Sequence, residues 1–182
     1  MDLELLEMRA GFVTASRFAD VIRQLRGDEA KRLGWSKSAL TYLDQLITES
    51  MIGRALDADK TTPKQCQWGL DHEPEALELY CWEHGLDYDP SARQSFVIGE
   101  KLIGCTPDWI VNAARLAQVK CPYDPSNHTE TLRHRHISKD YIVQCQGEMW
   151  VTGAIRNDFV SYHPDFPPQY RLVVIPIARD EK

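Results

Sequence analysis

Gly104-Cys105-Thr106-Pro107-Asp108 places a carboxylate directly after a proline, and Gln118-Val119-Lys120 follows ten residues later. On a strand, alternation sends Gln118 and Lys120 to one face and Val119 to the other, into the core. An aspartate at a strand end and a polar-x-lysine on the next strand then converge on one point. That suits phosphodiester hydrolysis, which needs hard cations held by carboxylate oxygens and a lysine to orient the attacking water or offset developing charge. Glu73 adds a second acid. It lies four residues before Leu77, on the inner side of an apolar helical stripe, an unusual place for a carboxylate.

Taken singly, each residue has a plainer use. Glu73 serves equally well as a cap on a helix dipole. Asp108 after proline is an ordinary turn residue, and Lys120 an ordinary edge-strand lysine. The run Arg133-His134-Arg135-His136 reads as a charged loop, with contact to duplex phosphates as the alternative.

The elements that must position these residues can be read from periodicity. Thr14 can cap a helix carrying Phe18, Val21, Ile22 and Leu25, ended by Gly27. A second helix carries the stripe Leu43, Leu46, Ile47 and Met51 up to Gly53, and 57–64 form a polar loop. A third begins near Glu73 with Pro74 in its first turn, its apolar face being Leu77, Tyr80, Cys81 and His84. Short β-type runs follow at 94–98, 102–105, 109–111 and 116–121. Ser138 caps a further helix closed by Gly153, and strand-like runs at 158–163 and 170–175 come last. Trp35, Trp82, Trp109 and Trp150 are expected in the core.

The 182 residues suit one domain spanning 1–182. With 43% hydrophobic and 26% charged residues the composition is that of a soluble globular protein, and no apolar stretch is long enough to span a membrane. The acidic N-terminus does not read as a secretion signal, so a cytoplasmic location is expected. Five widely spaced cysteines without a C-x-x-C pair argue against a disulfide framework or a zinc site. The net charge of −6 is unusual for a protein that meets a polyanion. Much of it sits in 70–90, which holds acids and no Lys or Arg, while basic residues gather in 9–37 and 133–139.

Pro107-Asp108 with Gln118-Val119-Lys120 resembles the PD-(D/E)xK nuclease motif, with Gln in place of the acid. The flanks narrow the resemblance. Gly11-Phe12-Val13-Thr14-Ala15-Ser16, Trp68-Gly69-x-x-x-Glu73, Cys105-Thr106-Pro107-Asp108, Lys120-Cys121-Pro122 and Gln144-x-Gln146-x-x-Met149-Trp150-Val151-Thr152 resemble, in order and spacing, the lambda exonuclease (YqaJ-like phage recombinase) family.

That resemblance implies an α/β restriction-endonuclease-like core, a central mixed β-sheet flanked by helices. It implies metal binding by Asp108, residue 118, the Val119 carbonyl and Glu73, with Lys120 as the catalytic lysine and Gln146 beside the site. Arg9, Thr14, Ser16 and Thr106 match the family's 5′-phosphate pocket, where an arginine and hydroxyls give charge-assisted hydrogen bonds. The implied activity is Mg²⁺-dependent (Mn²⁺ as substitute) 5′→3′ digestion of double-stranded DNA from phosphorylated ends, leaving 3′ single strands for recombination. A homotrimer, a single-strand annealing partner and a phage-type protein acting in a bacterial cytoplasm are implied as well.

Two departures stand out. Gln118 removes one charge from the metal cluster, and the chain ends soon after the Arg171-to-Ile177 strand, where many relatives continue into a C-terminal helix. Two alternatives therefore stay open: a catalytically inactive DNA-end-binding protein, and a structure-specific or restriction-type endonuclease on the same fold.

Overall fold

The computed structural model describes residues 10–23, 25, 28–56 and 63–181, without the side chains of 29, 30 and 101. Arg9, Gly27 and most of the polar 57–64 loop lie outside the described residues. The β-type runs pair as β2 (Phe96–Ile98), β3 (Ile103–Cys105), β4 (Trp109–Asn112), β5 (Arg115–Lys120), β6 (Arg156–Tyr162) and β7 (Leu172–Ala178). They join a short first strand, β1 (Val13–Thr14), in two mixed sheets ordered β1-β3-β2 and β4-β5-β6-β7. In the larger sheet β5 is antiparallel to β4 and parallel to β6, and β7 is antiparallel to β6. The architecture is the expected α/β one, with the strands divided between two sheets.

The first segment departs from its helical spacing. Thr14 does not cap a helix: Val13 and Thr14 pair with Ile103 and Gly104, and the Thr14 N–H donates to the Tyr42 hydroxyl at 3.2 Å. A 3₁₀ turn, Ala15–Arg17, leads into a short helix α1 (Phe18–Ile22) that stops before Leu25. Tertiary pairing overrides local propensity here.

Helix α2 (Asp28–Leu33) precedes α3 (Lys37–Ile52), which Ser36 caps by accepting from the Ala39 N–H at 3.1 Å. Its expected apolar stripe is turned outward, since Leu43, Ile47 and Met51 are exposed while Ala39, Tyr42 and Glu49 are buried. Glu49 explains that orientation. Its carboxylate accepts from the backbone N–H groups of Gly11 (3.2 Å) and Leu56 (3.1 Å) and from the Gln45 amide (2.8 Å), so this face closes against flanking loops.

Helix α4 (Lys64–Glu83) begins at Pro63 and runs through Pro74. The helix starts well before the expected position near Glu73, which rests on Pro74, since a proline inside a helix costs a hydrogen bond and normally marks a first turn. Here Ala76, Leu77, Tyr80 and Cys81 are buried against the large sheet and hold the helix across it. Glu73 is therefore mid-helix, and capping a helix N-terminus is not its role. Trp82 follows buried Cys81 by one residue, about 100° round the helix, and is 77% exposed. Trp35 and Trp150 are exposed too, so only Trp109 of the four expected core tryptophans is buried.

Helix α5 (Pro125–His134), absent from the periodicity reading, is capped by Asp124, which accepts from the Ser126 N–H at 2.9 Å. Its last turn holds Arg133 and His134, and Arg135 leaves it at φ 51 to donate to the Val174 carbonyl at 2.6 Å. Helix α6 (Lys139–Thr152) starts at Ser138 and ends at left-handed Gly153, as expected.

Alternation on β5 separates two packed faces. Ala117 and Val119 join α4 residues, Trp109, Val160 and Tyr162 on one side. Leu116 meets Met149 and Ala154 on the other, and the same face of β6 sends Phe159 against Cys145 of α6 and Ile137. Asp158 locks β5, β6 and α4 together, bound by Tyr80 Oη (2.8 Å), Arg115 Nε (2.8 Å) and Arg156 Nε (2.6 Å). Burial alone would raise its carboxyl, but those hydrogen bonds outweigh it and hold the acid charged. Among the described residues no helix is long and apolar enough to cross a membrane. Of the cysteines Cys66 is exposed and the other four are buried, all as free thiols.

Candidate active site

The β4–β5 register pairs Trp109 with Ala117, which makes Asp108 and Gln118 the next cross-strand neighbours. Asp108 is buried, and its Oδ2 accepts from the Val119 N–H at 2.8 Å and from the Gln118 amide in a short contact. Its Oδ1 turns the other way, toward Arg93 Nη2 at 3.3 Å. Arg93 Nη1 reaches Glu73 Oε1 at 3.1 Å, so one guanidinium joins an acid from α4 to an acid at the start of β4.

Glu73 and Lys120 line one cavity of about 910 Å³ between α4, the end of β5, α5 and the start of α6. Lys120 Nζ lies 5.1 Å from the centroid of the Tyr141 ring. Burial first, and the Asp108 charge second, push the Glu73 carboxyl up to about 7, against the opposing pull of Arg93 and Lys120. Burial, reinforced by Glu73 and Asp108, likewise pushes the neighbouring Cys121 thiol up to about 12. The negative field of the two acids is thus felt across the site.

Gln118 is almost wholly buried and its Oε1 has no hydrogen-bond partner among the described residues, an uncompensated acceptor beside Asp108. Among the described residues no three His, Cys, Asp or Glu side chains gather as a metal cluster. The Glu73 and Asp108 carboxylates meet through Arg93, and the Gln118 amide and the Val119 N–H flank Asp108. Carboxylate and amide oxygens of this kind could hold a hard divalent cation, with one charge fewer than a third carboxylate would supply.

The other expected residues fall in two places. Thr14 Oγ1 and Ser16 Oγ are 3.1 Å apart, and Thr106 Oγ1 pairs with Ser95 Oγ at 2.8 Å. Thr14, Thr106 and Ser95 share a small recess between the strands of the lesser sheet, and Ser16 meets it through Thr14, so Thr14, Ser16 and Thr106, the hydroxyl residues expected in a phosphate pocket, lie near one another. Gln146 does not join the acids. Its amide donates to the Ala178 carbonyl (2.8 Å) and accepts from the Asp180 N–H (2.9 Å), tying α6 to the end of β7. Two residues earlier in the helix, Gln144 donates to Glu148 at 2.9 Å, and Asn157 donates to the same carboxylate at 2.8 Å. Burial first, then the Asp108 charge, raises the Glu148 carboxyl to about 8, so this second buried acid lies within electrostatic reach of the site.

Arg93, Ser95 and Glu148 escape the sequence reading. Arg93 lies in a loop with no periodicity to orient it, and Ser95 falls in the 94–98 run, which pairs as a strand only from Phe96. Glu148 carries a legible signal, a charged residue three after buried Cys145 and next to buried Met149 on the inward side of α6.

The family profile of the YqaJ-like viral recombinase domain matches residues 4–155. The chain belongs to that family. Its structure is similar to the crystal structure of an alkaline exonuclease, LHK-Exo, from Laribacter hongkongensis, with a TM-score of 0.77 and 29% identity over 98% of this chain and 82% of that one. LHK-Exo in complex with dAMP is matched equally well, at 0.77 and 28% identity over 98% and 83%. A phage-related exonuclease from Haemophilus somnus 129PT shares the fold at a TM-score of 0.72 and 17% identity, over 93% of this chain and 85% of that one. No curated protein matches by sequence. The similarity to an alkaline exonuclease suggests a DNA exonuclease.

Proposed function

We propose that this chain digests linear double-stranded DNA in the 5′→3′ direction from 5′-phosphorylated ends, leaving 3′ single strands for recombination. The observation that carries this reading is the convergence of Glu73 and Asp108, from separate elements, beside a cavity that also receives Lys120. Asp108, Glu73, the Gln118 amide oxygen and the Val119 carbonyl would hold Mg²⁺, or Mn²⁺ in its place, which when bound supplies an activated water and offsets charge on the cleaved phosphate. Lys120 contributes a fixed positive charge to orient the nucleophile and stabilise the pentavalent phosphate. Asp108 is oriented for its part by the Val119 N–H and the Gln118 amide, which leave Oδ1 directed outward.

Thr14, Ser16 and Thr106, with Arg9, would hold the 5′-phosphate and set the end preference, and the Ser95–Thr106 hydroxyl pair supports that placement. The complex of LHK-Exo with dAMP supports a nucleotide ligand for this chain as well. A homotrimer encircling DNA and an annealing protein as partner complete the reading. In the infected bacterial cytoplasm such a pair would start recombination at a break.

A second reading has its own observation. Gln118 is neutral and donates to Asp108, which fits an end-binding protein with cleavage lost. One assay separates these readings: incubation with Mn²⁺ of 5′-phosphorylated linear duplex, 5′-hydroxyl linear duplex and closed circular duplex, beside a binding titration. Nucleotide release from the phosphorylated linear form supports the exonuclease. Binding without release favours the end-binding protein, and a cut circle the endonuclease.

A further inference from the structure

We propose that Arg93 is the built-in counter-cation of the site, holding Glu73 and Asp108 together in the metal-free chain and competing with the divalent ion for the same oxygens. This rests on the metal-site reading above. Asp108 has two carboxylate oxygens, and Oδ2 is already engaged by the Val119 N–H and the Gln118 amide. The oxygen left for a cation is Oδ1, and that is the one Arg93 Nη2 meets at 3.3 Å, while Nη1 meets Glu73 Oε1 at 3.1 Å.

A planar guanidinium can span two carboxylates on separate elements with two N–H groups, which a lysine ammonium does less well. It takes up Asp108 Oδ1, the oxygen a metal would use, and its positive charge repels a divalent ion held by the same two acids. An ion that binds both acids therefore works against Arg93, and the side chain has room to turn out. It is 40% exposed and belongs to the loop between the 3₁₀ turn Pro90–Ala92 and β2. Arg93 thereby keeps buried Asp108 and half-buried Glu73 paired when no metal is present, and it sets the ion concentration at which the site fills.

A purely structural role makes the opposite prediction. If Arg93 only braced the fold, removing it would let the acids separate and weaken ion binding. The test is calorimetric titration of Mn²⁺ into the full chain without DNA, for the wild type and for Arg93→Gln, Arg93→Ala and Asp108→Asn. Both Arg93 variants should bind Mn²⁺ about tenfold more tightly, the worth of a charge-assisted hydrogen bond at a half-exposed site. Their melting temperatures should also rise more on adding Mn²⁺ than that of the wild type, and Asp108→Asn should lose binding. Equal or weaker binding by both Arg93 variants, with Asp108→Asn still defective, overturns the counter-cation role and leaves the metal site standing. Unchanged binding by Asp108→Asn removes the metal site and the inference with it.

Discussion

Gln118→Glu restores a charge to the oxygen cluster, and the structure gives the change two opposing consequences. The Gln118 amide donates to Asp108 Oδ2 at a site that is only 1% exposed. A glutamate cannot donate there unless protonated, so the variant loses a charge-assisted hydrogen bond worth about 1.5–3 kcal/mol. It also sets two carboxylates side by side, and protonation of one of them caps that repulsion. A net destabilisation of about 2–4 kcal/mol is expected without metal. For a chain of this size that lowers the melting temperature by about 5–12 °C. With Mn²⁺ the order reverses, since the carboxylate supplies the charge that the amide oxygen lacks. The melting temperature should recover, and nucleotide release from 5′-phosphorylated duplex should rise about a hundredfold, the scale of a lost or gained electrostatic contact at a reacting phosphate. Differential scanning fluorimetry with and without Mn²⁺, run beside the nuclease assay, reads both effects. A variant that melts like the wild type in both conditions and digests no faster would refute the placement of residue 118 at the metal.

Three further outcomes follow from the same geometry. Lys120→Met should lower nucleotide release at least a hundredfold while costing about 1 kcal/mol or less in a denaturant melt, because its visible contact is the Tyr141 ring. Glu148 has a folded value of about 8, above its ordinary 4.5, so its stabilising contribution is complete below 4.5 and is lost as pH rises through about 8. Denaturant melts across that window should show a flatter fall for Glu148→Gln than for the wild type, the remaining slope coming from Glu73, which is raised to about 7 in the same sense. Gly147→Ala puts a Cβ 2.5 Å from Phe18 Cδ2 and 3.4 Å from Ala15 Cβ, and should cost about 1–3 kcal/mol by overpacking. Because that contact seats the segment carrying Thr14 and Ser16, the preference for phosphorylated ends should weaken in a paired digestion of 5′-phosphate and 5′-hydroxyl duplexes.

The chemistry of the site was legible where it depends on covalent order. The ten-residue spacing of Asp108 and Gln118 on two antiparallel strands makes them cross-strand neighbours, and alternation alone sends Val119 into the core, where it packs with Leu77 and Tyr80. Glu73 was legible as an inward acid from its place in a helical stripe, although the start of its helix was not. A proline usually marks a first turn, and only the packing of Ala76 to Cys81 on the sheet holds α4 together across Pro74.

The tertiary structure decided what no local pattern encodes. It turned α3 outward because buried Glu49 satisfies N–H groups 38 residues before it and 7 after. It pulled Thr14 out of a helix and into a strand beside Gly104, and gave Gln146 to the C-terminal strand in place of the acids. It also delivered Arg93 from an irregular loop to two carboxylates that lie 20 and 15 residues away in sequence. The sequence by itself determined the donor types and the strand register, since these follow from residue identity and a backbone period of two. Which charge neutralises which, and which hydroxyls meet, depends on contacts between elements whose approach is set by packing, and only the folded chain fixes them.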